Sequence, residues 1–317
     1  MTGVDDDPRP GWTVAIGISA VLTVAIFSIL VALSDGQAVF EAIGRINPAR
    51  LSLAVILVSG AFVIRFAKWE SLSQTAGVSL TRRTSAIVFF SGFMLTVTPG
   101  KAGEIWKAGF AAQVGEAAVA RVTGVVAAER FTDLAALAAF VALGPLVIGS
   151  GVLMAAVALG VTASLVVVVR SHTVWSLVQR ILEHLPVANR YIARTDTLRE
   201  TTDTLFRHRP IAIATGLSLL AWALEGLAFW VVLDSIGVSP TLTTVFFVYA
   251  AGLLAGAVSL LPGGVGVTEA STVGLLVALG YPIELVTVGV LITRVISLWY
   301  AVAIGLTVYL THRLLVR

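Results

Sequence analysis

IAIATGLSLLAWALEGLAFWVVL, Ile211–Leu233, is an apolar run interrupted by a single charged residue, Glu225. A helix rises about 1.5 Å per residue and the hydrocarbon core of a bilayer is about 30 Å thick, so roughly 20 such residues cross it. Blocks of the same character are Trp12–Leu33, Leu51–Phe66, Thr123–Ile148, Val152–Val169 and Val286–Leu310. They account for a chain of 317 residues that is 57% hydrophobic and 12% charged, about half the charged share of an ordinary globular domain. The competing reading, core helices of a soluble protein, fails because too little polar sequence is left to cover them. The chain is predicted to be an all-α integral membrane protein.

The first block follows Asp5, Asp6 and Asp7 rather than a basic segment, and no small-residue cleavage site follows it, so it reads as a retained span. With no cysteine, disulfides, thiolate metal sites and cysteine nucleophiles are excluded. His172, His184, His208 and His312 lie in polar segments or near the C-terminus, which leaves no intramembrane metal cluster and no expected metal or cofactor. A net charge of +3 is too small to argue for nucleic acid.

Basic residues mark cytoplasmic segments. Lys68–Arg83 carries three against one acid, Arg170–Arg209 carries seven arginines against four acids, and the tail ends in Arg313 and Arg317. Placing these inside puts both termini inside a cell membrane. The path then divides into a tail (1–11), one polytopic domain (12–311) with a basic cytoplasmic segment (170–209), and a second tail (312–317). Residues 84–116 must leave from and return to the inside, and residues 242–280 must do the same from the outside. Each region is broken by a Pro-Gly cluster that a continuous helix does not tolerate. Re-entrant hairpins are the economical reading. About six full transmembrane helices plus two broken hairpins, eight membrane elements, are therefore expected.

The two breaks resemble each other. One reads Thr98-Pro99-Gly100-Lys101-Ala102-Gly103-Glu104, the other Leu261-Pro262-Gly263-Gly264-Val265-Gly266-Val267-Thr268-Glu269. Arg130 follows Pro99 by 31 residues and Arg294 follows Pro262 by 32, both within apolar helices. Three spans separate the breaks, an odd number, so the halves (about 51–148 and 211–311) are expected to be inverted. Discontinuous helices meeting near the midplane are a transporter architecture.

A helix that starts inside the bilayer presents backbone N–H groups and the positive end of its dipole, and glycines let a ligand approach closely. Lys101 and Lys107 add formal charge at the first break, while Glu104 and Glu269 are placed to cap the helices or pair with basic residues. Charges within apolar stretches balance: Arg65, Lys101, Lys107, Arg130 and Arg294 against Glu104, Glu129, Asp133, Glu225 and Glu269. Each costs several kcal/mol at the bilayer centre, so such groups face one another or a wet cavity. Arg65 and Lys68 read as snorkelling at a helix end. Glu225 reads equally as cavity lining or as partner to an arginine. Trp12, Trp69, Trp175, Tyr281 and Tyr309 read as interfacial anchors, and Val174–Leu205 as an interfacial amphipathic helix or a solvated loop.

The Thr98–Glu104 motif, Glu129-Arg130-x-x-Asp133 and the Leu261–Gly266 motif together resemble the lysylphosphatidylglycerol synthase transmembrane region, the flippase-like UPF0104 group, from about residue 12 onward. The resemblance implies a scaffold associated with moving lipid between leaflets, carried by Pro99, Gly100, Gly103, Glu104, Glu129, Arg130, Asp133, Pro262, Gly263 and Gly266. It does not imply aminoacyl or glycosyl transfer, since nothing through Arg317 resembles those soluble domains.

The expected function is therefore movement of a lipid with an anionic or glycosylated headgroup, a phospholipid or a polyprenyl phosphate derivative, with Gly264, Glu269 and Arg294 completing the substrate-binding set. P-G-K-A-G-E lacks Walker spacing, so no ATP-hydrolysing part is expected. A membrane-embedded enzyme using Glu104, Glu129 or Asp133 as base, an accessory subunit of a glycosyltransferase or lipid synthase, and a small-solute transporter remain open.

Overall fold

The computed structural model describes residues 46–97, 103–115, 117–148 and 188–316, with isolated helical positions between 17 and 44 and at 156 and 160. The helices are α1 (Pro48–Thr75), α2 (Arg82–Ser91), α3 (Gly103–Gly115), α4 (Val119–Val141), α5 (Gly144–Ile148), α6 (Ala188–Leu205), α7 (His208–Ser235), α8 (Leu242–Val258), α9 (Val267–Ala278), α10 (Ile283–Arg294) and α11 (Tyr300–Val316). Among the described residues there is no strand. Among the described residues, three helices are long and apolar enough to cross a membrane: α1, α7, and Ile283–Leu315, which joins α10 to α11 through a π-helical turn at Val295–Trp299. The expected spans Trp12–Leu33 and Val152–Val169 fall almost wholly outside the described residues.

Two boundaries differ from expectation. α1 does not end near Phe66 but runs to Thr75, because Lys68, Trp69, Leu72 and Ser73 are buried against neighbouring helices and the helix needs no interface there. Thr123–Ile148 is not one helix: α4 closes at Val141, and a turn at Ala142 and Leu143 precedes the short α5. Pro145, which lacks an amide hydrogen, sits in the first turn of α5, where none is needed.

α1 starts with the Asn47 side chain accepting from the Ala49 amide at 2.9 Å and with Pro48 in its first turn, both standard N-terminal devices. It ends at Gly77 (φ +67°), with the Val78 amide reaching back to the Ser73 carbonyl at 2.9 Å. α7 ends the same way: Gly237 has φ +88° and the Val238 amide reaches the Leu233 carbonyl at 3.0 Å. The left-handed conformation suits glycine in both turns. Thr81 then caps α2 through the Thr84 amide and Thr241 caps α8 through the Thr244 amide, each at 3.2 Å. The turns read Gly77-Val78-Ser79-Leu80-Thr81 and Gly237-Val238-Ser239-Pro240-Thr241, at a fixed offset of 160 residues. α1 and α7, each 28 residues, keep that offset.

α1 and α7 pack along each other, antiparallel. Arg50 near the start of α1 pairs with Asp234 near the end of α7. Arg65 meets Glu225, and Lys68 meets Ser218 further back along α7. Around this pair stand two hairpin-like units, α2 with α3 and α8 with α9. α8 and α9 touch through Gly252 and Gly256, where an added Cβ would strike the Thr272 and Thr268 hydroxyls. Small residues that let helices approach closely are a membrane-protein device. With 10, 13 and 12 residues, α2, α3 and α9 are shorter than the roughly 17 needed to span.

The end of the described stretch before the first break packs on the second. Val97, two residues before Pro99, shares a buried cluster with Val265, Leu298 and Val302, and a Cβ on Gly263 would lie 3.5 Å from the Val97 side chain. Leu298 belongs to the π-helical turn, so the irregular backbone of the long helix and of the second break lies together. α6 covers α4, with Thr201 against Gly124 and Phe206, just beyond α6, against Phe131; the expected helix over Val174–Leu205 is thus described only in its second part, packed on protein.

Candidate functional site

α1, α4 and α7 each turn charged side chains inward to one place. Lys68 on α1, 1% exposed, donates to Asp133 Oδ1 at 2.6 Å and to Ser218 Oγ at 2.9 Å. Ser218 donates to the same carboxylate oxygen at 2.9 Å. Arg65, one turn back on α1, pairs with Glu225 at 2.8 Å and approaches Asp133 Oδ2 at 3.7 Å; its guanidinium lies 4.0 Å from the Trp222 ring centroid. Tyr249 from α8 donates to the other Glu225 oxygen at 2.9 Å. Arg130 approaches Asp133 Oδ2 at 3.5 Å and, with its side chain 37% exposed, is the most open member of the group. Asp133 Oδ2 accepts no hydrogen bond although it is buried.

The network extends to α3. Lys107 donates to Glu129 at 2.9 Å, with its ammonium 3.7 Å from the Trp69 ring centroid. Both charges are buried, and the aromatic face supplies a second favourable contact for the cation. Trp69 donates to Ser85, whose hydroxyl is held by Glu70. Trp69 is therefore a buried structural residue and not an interfacial anchor. Arg65 and Lys68 do not snorkel either: they point between helices, where removal of one partner from a buried pair costs about 3–5 kcal/mol. The i, i+3 spacing of Arg65 and Lys68 on an otherwise apolar face was the signal available for them.

A second ion pair holds the other break. Arg294 Nε donates to Glu269 at 2.6 Å while its Nη2 donates to the Gly263 carbonyl at 2.7 Å. The second Glu269 oxygen accepts the Gly266 amide at 2.6 Å. Arg294 thus staples the Pro262–Gly264 turn to α10, and Glu269 caps α9. The Gly264 and Val265 amides close on the Leu261 and Pro262 carbonyls at 2.9 and 3.1 Å. The turn conformation itself, with Gly263 at φ +60°, is open to glycine at little cost.

Of the expected site residues, Glu129, Arg130, Asp133, Glu225 and Lys107 come together in one network. Pro262, Gly263, Gly264, Gly266, Glu269 and Arg294 form the second break. Pro99, Gly100 and Lys101 lie outside the described residues; Gly103 and Glu104 begin α3, and the Glu104 side chain lies outside the described residues. The internal pairing expected from the charge balance is observed for Arg65, Lys107, Arg130 and Arg294.

The profile of the lysylphosphatidylglycerol synthase TM region matches residues 14–305, nearly the whole chain. The chain belongs to that family. Two proteins of Methanothermobacter thermautotrophicus, each described as a UPF0104 membrane protein, are similar to it. One is 31% identical over 140 residues, 42% of this chain and 42% of that protein. The other is 31% identical over 98 residues, 31% of this chain and 28% of that protein. The matched stretches span less than half the length of these relatives. Family membership fits a membrane role connected with lipid.

Proposed function

We propose that this chain moves a lipid with an anionic or glycosylated headgroup between leaflets, within an inverted repeat whose two broken hairpins are re-entrant. The observation that carries the reading is a buried network of ion pairs whose most open described member is a cation, Arg130. Among the described residues, Arg65, Lys68, Lys107 and Arg130 are ion-paired with Glu129, Asp133 and Glu225. Charged groups among apolar helices are costly unless they meet one another or a polar ligand, and an anionic headgroup is such a ligand for a cation on the open side of the network. Arg130, the most open member, is the contact for the headgroup, and the tail stays in lipid. The antiparallel α1 and α7, the matching turns 160 residues apart and the packing of Val97, which precedes the first break, on the second break support the inverted-repeat reading. Short arms on both hairpins support re-entrance.

The test is reconstitution into vesicles with fluorescent lipids and a membrane-impermeant quencher that reads each leaflet. Accelerated loss of protection for anionic or glycosylated headgroups is expected. No acceleration across phospholipids and polyprenyl phosphates overturns the reading, and chemical conversion of the lipid instead identifies an enzyme.

A further inference from the structure

A cleft of about 640 Å³ lies between α2 and α11, lined by Arg83, Thr84, Ile87, Phe90, Val308 and His312 among others. The volume falls within the roughly 300–1,000 Å³ of small-molecule sites. The two walls run antiparallel: Gly305 of α11 meets Met94 just beyond α2, while the end of α11 faces the start of α2. One end of the cleft is consequently polar and the other apolar. Arg83, Thr84, Thr311 and His312 gather at the polar end, with Ile87, Phe90, Thr307 and Val308 toward the other. Among the described residues, no carboxylate lines it. Arg82 and Arg313 occupy the same two helix termini. The His312 ring stands edge-on to Phe110 of α3, centroids 6.0 Å apart, which fixes the imidazole at the mouth.

A purely apolar crevice, filled by any acyl chain, does not need two basic side chains and two hydroxyls at one end. We infer that this cleft binds one anionic glycerophospholipid, its phosphate between Arg83 and His312 and an acyl chain along Ile87, Phe90 and Val308. Arg83 supplies the charge-assisted hydrogen bonds that phosphate takes from a guanidinium. The threonine hydroxyls complete its coordination, and the apolar end buries methylenes at about 0.8 kcal/mol each. The inference deepens the transport reading and rests on it for its purpose: the cleft is where substrate lipid docks from one leaflet, with α3, which carries Lys107, between it and the buried network.

Because the chain has no native cysteine, a single Val308→Cys substitution takes a spin label cleanly. The labelled full chain in neutral detergent is titrated with phosphatidylglycerol or phosphatidylcholine. Saturable immobilisation by phosphatidylglycerol is expected, weakened roughly tenfold or more by Arg83→Gln with His312→Gln, the loss of at least one charged hydrogen bond. Arg83→Lys retains part of it, and a label at exposed Leu220, with an unchanged spectrum in every variant, reports that the fold is intact. Equal response to both lipids, or no effect of the double glutamine variant at constant Leu220 spectrum, overturns the inference. Binding is read in detergent without any transfer step, so this failure is separable from failure of the transport reading.

Discussion

Lys68 shows what a single residue decides. In the sequence it follows an apolar run and looks like a cation at a helix end. In the fold it is almost wholly buried and bonded to Asp133 and Ser218. The hydropathy drop at Lys68 marks a change in what the helix faces, from lipid to protein, and not its end. That distinction depends on α4 and α7, which no local pattern reveals; the acids and Arg65 were legible as intramembrane charges, Lys68 as a buried partner was not. Lys68→Met leaves Asp133 buried beside Arg65 and Arg130 alone, and about 3–5 kcal/mol of stability is expected to be lost, read as a fall in the thermal unfolding midpoint in detergent. Asp133→Asn is expected to be worse, because it takes from Lys68 its carboxylate partner and removes the negative charge that Arg65 and Arg130 also approach. An unchanged midpoint for both contradicts the assigned pairing.

At the scale of elements, the second Pro-Gly break was legible because proline and glycine in an apolar run have few structural meanings. The staple that holds it was legible only in part. Glu269 and Arg294 were visible as a glutamate and a distant arginine, but the sequence did not show that they bind each other and the Gly263 carbonyl. The close approach of α8 and α9 depends on glycines at Gly252 and Gly256, an i, i+4 pair on one helix face. Gly256→Ala is expected to push α9 away by forcing its Cβ against the Thr268 hydroxyl, lowering the stability by the roughly 1–3 kcal/mol typical of overpacking, about one to two orders of magnitude in the equilibrium, read as a fall in the unfolding midpoint. Adding Thr268→Ala removes the colliding atom and is expected to restore part of that loss. Failure of the second substitution to help contradicts the assigned contact. Glu269→Ala is expected to raise hydrogen exchange at the Gly266 amide, and unchanged exchange there contradicts the cap.

For the whole molecule, the 160-residue offset relates Arg65 to Glu225, and these two residues pair with each other. Residues at equivalent positions meet across a two-fold axis, so the ion pair sits near the axis of the proposed inverted repeat. Lys68 and Ser218 obey the same relation: their counterparts Ala228 and Val58 share one buried cluster. Arg65→Met and Glu225→Met are each expected to destabilise, and the double variant to lose less than their sum by a coupling of about 0.5–3 kcal/mol; strict additivity contradicts the pairing. The repeat of Pro-Gly breaks was legible, but the matching Gly-Val-Ser turns and this self-pairing emerge once the helices are aligned in space. In the proposed reading the halves enclose a network of ion pairs opened toward its surroundings, and toward an anionic headgroup, by Arg130. The transfer rate of an anionic lipid relative to a zwitterionic one, measured in vesicles for the parent chain and for Arg130→Gln, tests that claim most directly. The account predicts that the parent chain favours the anionic lipid and that Arg130→Gln reduces this preference at least tenfold, the worth of one charged hydrogen bond. Equal rates for both lipids, or a preference untouched in a folded Arg130→Gln variant, contradict it.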